Sequence, residues 1–501
     1  MTAIKIMLQG TGSDVGKSLI LAGLCRLLTK RGLKVSPFKP QNMSNNAAIA
    51  ADGGEIGRAQ WLQALAANIS PSIHMNPVLL KPQSDKTSQI ILRGKLLDTM
   101  SAKEYHKYRK SLLPSIIESY EMLAKDADIV LIEGAGSPAE INLRENDIAN
   151  MGFARTINSP VVLVGDIERG GVIASLVGTH TVLEAEDRKM IKGFIVNKFR
   201  GDSSLFTSAE IEIEKHTGWK NLGLIPHFPF LSQLPQEDSM ALSSISSLNP
   251  NPQTRNPINV VALQTPHIAN FDDITPLAND PQINFSWCKA GDAIPANADV
   301  VILAGSKSTI ADLNFIRSQG WDIDLIAHKR RGGRIIGICG GYQMLGKTIS
   351  DPYGVDGKPE TVQGLGLLDT HTIFSKEKTT REWQGFYQQP ATNNQQPISG
   401  YEIHMGESTG SDCSRAIFHS NKPEGATSED GLVWGCYIHG IFANDVFRKA
   451  IFNTNSSYKY IRHMQKILDD WAETLENSLD IESLLGICGI SSKMIKTLEF
   501  T

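Results

Sequence analysis

The sequence predicts an α/β protein of two domains, each built on a parallel sheet. Three observations carry that prediction. Short, nearly all-apolar segments alternate with longer stretches of helical spacing, the pattern of strands buried on both faces. The chain is 501 residues long, more than one domain ordinarily holds. Two Gly-rich turns, at residues 10–18 and 337–341, each follow an apolar strand and open a helix.

In the first half the strand segments are Ile4–Gln9, Leu33–Phe38, Ile129–Ile132, Val161–Val164, Phe194–Val196 and Leu222–Ile225. Several end at Gly, Asp, Glu or Asn, as parallel strands do where they open onto loops. Around Ser243–Pro257 the composition turns to Ser, Asn and Pro with no apolar period, which reads as a linker. A second series follows with Asn259–Leu263, Val300–Leu303, Arg334–Ile338 and a cluster at Trp434–Phe442. The expected organisation is residues 1–240, a linker at 241–257, and residues 258–501. Glu377–Pro397, with its Asn/Gln-rich run, is expected to be a surface loop. The helical tail from Phe447 is expected to pack on the second domain.

Composition excludes several classes. Lys plus Arg is 49 and Asp plus Glu is 53, a formal charge of −4, without the basic excess of a chain that lives on nucleic acid. No apolar run approaches the ~18 residues that span a bilayer. The N-terminus lacks a charged region followed by a long apolar stretch, so no secretory signal is expected. The six cysteines are scattered without a C-x-x-C pair, which argues against a disulfide framework or a cysteine zinc site. A cytoplasmic metabolic enzyme is the expectation. The composition equally allows a homo-oligomer.

Gly10-Thr-Gly-Ser-Asp-Val-Gly-Lys17-Ser18 lies between a strand and a helix, the context a phosphate cradle requires. Gly12 and Gly16 would let backbone N–H groups approach the phosphates of ATP. Lys17 would reach the β- and γ-phosphates, and Ser18 would ligate Mg²⁺. The strict pattern places its first glycine at position 11, where this chain has Thr. Glu133 ends a buried strand and Asp52 follows the second one, so both are candidate metal ligands beside Ser18. Acids that merely cap helices would look the same. Asn197 ends the Phe-Ile-Val strand and could meet a purine edge or simply form a turn.

Arg334-Ile-Ile-Gly-Ile-Cys339-Gly-Gly-Tyr has the form of a nucleophile elbow, a cysteine on a strand-to-helix turn flanked by glycines. Exposure at a helix N-terminus would favour the thiolate and an oxyanion. His439, in Cys436-Tyr-Ile-His439-Gly, is the expected base. A histidine in an apolar strand is by itself more often a packing residue. The acid that would orient it is open, with Glu402 and Asp445 as candidates, or the pair works as a dyad.

A phosphate loop followed by an amidotransferase elbow is an unusual order. The chain resembles the cobyric acid synthase family over most of its length. Lys39-Pro-Gln-Asn-Met-Ser-Asn-Asn46, Leu143–Gly152, Val164–Gly171, Gly305-Ser-Lys-Ser-Thr309 and Gly400–Gly406 carry the match. The first half is similar to dethiobiotin synthetase-type phosphate-loop proteins, whose first glycine is displaced in the same way. The second half is similar to class I glutamine amidotransferases of the subgroup lacking a Glu two residues after the base. The resemblance implies ATP- and glutamine-dependent amidation of four carboxylates of a corrinoid, adenosylcobyrinic acid a,c-diamide. It implies glutamine, the corrinoid, ATP and Mg²⁺ as ligands, and Asp147 and Asp166 near substrate or metal. The close alternative is cobyrinic acid a,c-diamide synthase. The alternative of another class is a regulatory ATPase with an inactive amidotransferase-like domain. Because NH₄⁺ is not nucleophilic, efficient use of glutamine would require a sheltered path for ammonia between the domains.

Overall fold

The computed structural model describes residues 3–83, 87–237, 257–388 and 395–489. Two compact units emerge. Unit 1 holds the chain up to Ser44, Ala50–Leu231 and everything from Gln465. Unit 2 holds Asn45–Ile49 and Ser232–Met464. The expected linker lies outside the described residues apart from Pro257.

Unit 1 is organised on a six-stranded parallel sheet. Its strands are β1 (Ile4–Gly10), β2 (Val35–Phe38), β3 (Ile129–Glu133), β4 (Val161–Asp166), β5 (Ile191–Phe199) and β6 (Lys220–Pro226), in the order β6-β5-β4-β1-β3-β2. The central residues Ile6–Leu8, Ile129–Ile132 and Val161–Val164 are buried, as a sheet covered on both faces demands. β1 feeds helix α1 (Lys17–Lys30), and the chain then crosses to β2 at the sheet edge. The order therefore reverses beside β1, and the crevice at the carboxyl ends opens there. Helix α2 (Arg58–Ala66) packs on α1.

Unit 2 carries a second parallel sheet, formed by β7 (Ile258–Leu263), β8 (Ile283–Cys288), β9 (Val300–Leu303), β10 (Arg334–Ile338) and β13 (Val433–Cys436). Its order is β8-β7-β9-β10-β13, closed by an antiparallel edge strand at Ala426–Thr427. A separate, mostly antiparallel layer holds the long hairpin β11 (His371–Gln388) and β12 (Gln395–Thr409), with the short strand β14 (Ile438–His439) paired to β12. The chain thus leaves one sheet after Cys436 and joins the other at Ile438.

Two expectations are corrected. The described part of Glu377–Pro397 is strand and not loop, because residues 377–388 continue β11 and 395–397 begin β12, while 389–394 lie outside the described residues. Within residues 377–388 Trp383 and Tyr387 are buried on one face among mostly polar neighbours, which is why no apolar run announced this strand. The tail does not stay with the second domain. Phe447–Met464 belongs to unit 2, but from Gln465 the helix α5 (Tyr460–Ser478) packs within unit 1. Trp471 Nε1 donates to Leu19 O (2.7 Å) and Asp469 pairs with Arg26 (2.9 Å). A Cβ at Gly23 would come within 2.4 Å of Leu475, so α1 is shaped for this contact. Trp471 is 1% exposed. Trp471→Ala is expected to lower stability by about 3–5 kcal/mol, read from denaturant unfolding, through the cavity it leaves.

Candidate active sites

The unit 1 site begins at the turn after β1. A Cβ on Gly10 would meet Val15 at 2.6 Å and Lys17 Nζ at 2.9 Å, so the glycine that this turn demands stands at 10 and Thr11 is tolerated. Gly16 caps α1 with φ +96°. Asn197 packs against it and donates from Nδ2 to Val15 O (2.8 Å), so its amide braces the phosphate loop where a base contact was one expectation. Lys17 Nζ bridges the carbonyls of Gly12 (3.1 Å) and Gly136 (3.2 Å).

Glu133, 1% exposed at the end of β3, is the centre of the cluster. Its Oε1 accepts from Ser18 Oγ (2.6 Å) and from Lys39 Nζ (2.9 Å). Its Oε2 accepts from Gln63 Nε2 (2.8 Å) and Gln60 Nε2 (3.4 Å). A buried carboxylate is tolerated only when charge and hydrogen bonds compensate it, and Lys39 with the two α2 glutamines does so. Sequence reasoning gave Lys39, Gln60 and Gln63 no role. Their signal was position, Lys39 one residue beyond β2.

Asp52 is corrected. It is exposed, and its carboxylate accepts from Ser72 Oγ (2.6 Å) and Ile73 N (3.0 Å) and not from Ser18, so it caps the turn at Ile73–Met75. Asp147 likewise caps helix α3 (Met151–Thr156) through Ala149, Asn150 and Gly152 N–H groups. Asp166 pairs with Lys198 (2.8 Å), whose ammonium also donates to Asp14 O in the phosphate loop (2.8 Å). A magnesium ion fits the remaining set. A hydroxyl and a compensated carboxylate, 2.6 Å apart beside the phosphate loop, are the hard oxygen donors it uses with phosphates and water.

The unit 2 site stands at the carboxyl ends of β7, β9, β10 and β14. Cys339 occupies the turn between β10 and helix α4 (Gly340–Leu345) with φ +52° and ψ −110°, outside the common basins for a non-glycine residue. Close packing makes this turn possible. A Cβ on Gly341 would lie 2.0 Å from Leu303 O. The amide nitrogen of Ser306 lies 2.8 Å from where a Cβ of Gly340 would stand, so the loop after β9 runs along the elbow. Cys339 N donates to Cys436 O (2.8 Å), which docks the elbow on β13.

Three residues beyond Cys436, His439 is buried and lies near enough to feel the sulfur of Cys339, whose thiol donates to Ile403 O (3.5 Å). Its Nδ1 lies 2.7 Å from Asp273 Oδ2, and Asp273 Oδ1 accepts from Gly440 N (2.6 Å). Burial works against the charged imidazole, but the Asp273 carboxylate and the Cys339 sulfur outweigh it and push the pKa up to about 10. The second histidine here behaves oppositely. Burial pushes His404 down to about 4, and its ring stacks on Tyr437 at 3.9 Å.

The orienting acid is therefore Asp273, which sequence reasoning missed. Glu402 is corrected to a partner of Arg381 (2.5 Å), since the imidazole Nδ1 is taken by Asp273. Asp445 holds Arg448 and the Tyr460 N–H (both 3.0 Å). The signal for Asp273 was available, since Asn270-Phe-Asp-Asp273 follows a parallel strand as Glu133 ends one.

A phosphate-loop nucleotide-binding unit and a cysteine–histidine–aspartate amidotransferase unit on one chain define a glutamine-dependent amide ligase. Residues 6–241 match the CobQ/CobB/MinD/ParA nucleotide binding domain and residues 259–447 the CobB/CobQ-like glutamine amidotransferase domain. Cobyric acid synthase of Methylorubrum populi is 51% identical over 489 residues, covering 96% of this chain and 99% of the relative. Those of Allorhizobium ampelinum (51%) and Rhizobium meliloti (50%) match over the same shares of each chain. The chain belongs to the cobyric acid synthase family.

Proposed function

We propose that the protein uses ATP and glutamine to amidate four peripheral carboxylates of adenosylcobyrinic acid a,c-diamide, giving adenosylcobyric acid. One observation carries the reading: a complete phosphate-loop cluster and a complete Cys339–His439–Asp273 triad occur in a chain half identical, end to end, to cobyric acid synthases.

In the amidotransferase half, Cys339 Sγ attacks the side-chain amide carbon of glutamine as its thiol proton passes to His439 Nε2. The Gly340 and Ser306 N–H groups would take the oxyanion, a reading supported by the close approach of the Ser306 amide to Gly340. His439 passes its Nε2 proton to the departing ammonia, leaving a thioester. It then draws a proton from water, which releases glutamate and restores the thiol. Asp273 holds Nδ1 throughout and so fixes the tautomer.

A carboxylate resists ammonia because oxide is a poor leaving group. Transfer of the γ-phosphoryl of ATP to the corrinoid carboxylate supplies an acyl phosphate, from which ammonia displaces phosphate. Lys17 meets the charge on the transferred group, and Lys39 is held by Glu133 within the same cluster. Ser18 and Glu133 would hold Mg²⁺, which supplies positive charge to phosphate oxygens when bound. Asn197 and Lys198 keep the loop in shape from β5.

The test is a mass count of amides formed from ATP, glutamine and each corrinoid. Four amides on the a,c-diamide and none on cobyrinic acid itself are expected. Amidation of only the a and c positions of cobyrinic acid would assign the protein to the diamide synthases, and no amidation with either would favour a regulatory ATPase.

A further inference from the structure

We propose that Tyr401 and Asn270 are positioning residues for the base at 439, and that both act through one buried peptide, that of Ala47. The proposal rests on the glutaminase reading of Cys339 and His439.

Ala47 lies in Asn45–Ile49, five residues that belong to unit 2 although the chain on either side belongs to unit 1. It is 0% exposed. Its N–H donates to Asn270 Oδ1 (3.2 Å) and its carbonyl accepts from Tyr401 OH (3.3 Å). Both partners lead straight to the imidazole. Tyr401 sits opposite His439 in the β12–β14 pairing, and its ring stacks on the imidazole at 5.3 Å with a 20° tilt. Asn270 begins the turn that carries Asp273, whose N–H donates to Asn270 O (3.2 Å).

From a further side a Cβ on Gly305 would stand 3.1 Å from His439 Cε1, which leaves the ring little room to withdraw. Stacking on Tyr401 thus fixes the plane of the imidazole, and Asp273 fixes its rotation about that plane. The two constraints meet at the two polar atoms of one peptide. A base must remain within hydrogen-bond reach of the proton it moves, and a displacement of about 1 Å costs up to ~10²-fold. Residue 47 takes no part in thioester chemistry. A stretch drawn from the nucleotide-binding half of the sequence is nevertheless built into the support of the glutaminase base.

Tyr401→Phe deletes the hydroxyl and keeps the stacking ring. Asn270→Gly deletes the acceptor and keeps a residue at ease with φ +51°. Each is expected to lower kcat for glutamine hydrolysis about tenfold, with KM for glutamine within about twofold of wild type. Amidation supported by added ammonia should be unchanged, and thermal unfolding midpoints should show both variants folded. The double variant should lose no more than about twofold beyond the weaker single, because a peptide released by one partner no longer restrains the other. Wild-type kcat in either single variant, losses that multiply, or an equal fall in ammonia-supported amidation would overturn the proposal. Failure of the underlying reading is separately visible: Cys339→Ala or His439→Asn would then retain glutamine hydrolysis.

Discussion

Cys339→Ala should abolish glutamine hydrolysis, by a factor of about 10⁴ or more, and leave ammonia-supported amidation intact. The asymmetry follows from where the sulfur sits. Cys339 lies on the β10 elbow, and its sulfur acts electrostatically on His439. An alanine there leaves the turn and the Asp273–His439 pair in place but removes the only nucleophile, so no thioester forms and no nitrogen leaves glutamine. Ammonia supplied above neutral pH bypasses the missing step. Lys17→Ala should give the mirror image. Lys17 Nζ bridges two loop carbonyls beside the Ser18–Glu133 pair. Its loss removes charge stabilisation of the transferred phosphoryl, so amidation from either nitrogen source should fall by about 10³ or more. Glutamine hydrolysis should survive. The two variants assayed with both donors form a two-by-two pattern. Loss of ammonia-supported amidation in Cys339→Ala, or of glutamine hydrolysis itself in Lys17→Ala, would contradict the division of labour.

What the sequence disclosed and what it withheld divide along one physical line. The phosphate loop and the elbow are legible because each is a contiguous turn whose glycines are demanded locally. The displaced glycine at 10 is explained by contacts with Val15 and Lys17, five and seven residues away. Buried parallel strands are legible because both faces are apolar. Asp273 was not, because 166 residues separate it from His439 and only the convergence of strand ends joins them. Glu402, much nearer in sequence, proved to be Arg381's partner. Asp52 misled for the converse reason: it follows the second strand in sequence, but two short strands, Gln41–Met43 and Ala47–Ile49, intervene, and its carboxylate caps Ser72 and Ile73. The tail shows the same limit. The buried spacing Met464, Ile467, Leu468, Trp471 and Leu475 marks an amphipathic helix, yet periodicity says which face is covered and not what covers it.

Asp273→Asn should lower glutamine hydrolysis by about 10²–10⁴ and move the alkaline limb of its pH profile downward from the neighbourhood of pH 10. The carboxylate accepts from two donors at once, His439 Nδ1–H and Gly440 N–H. An amide offers one oxygen, so one donor must face an NH₂ group. The charge that holds the imidazolium in a buried site is also gone, and burial then drives the imidazole toward its neutral form. The protonated imidazole is therefore disfavoured at the pH where the wild type works. The sign for stability follows from the same shift. His439 is raised in the folded state, so its contribution is fully present below the unfolded value near 6.5 and is lost as pH rises through about 10. Wild-type unfolding midpoints should therefore fall across that window more steeply than those of Asp273→Asn. An unmoved alkaline limb in the variant would mean that the imidazole owes its charge to Cys339 alone, and that Asp273 only anchors the turn at Gly440.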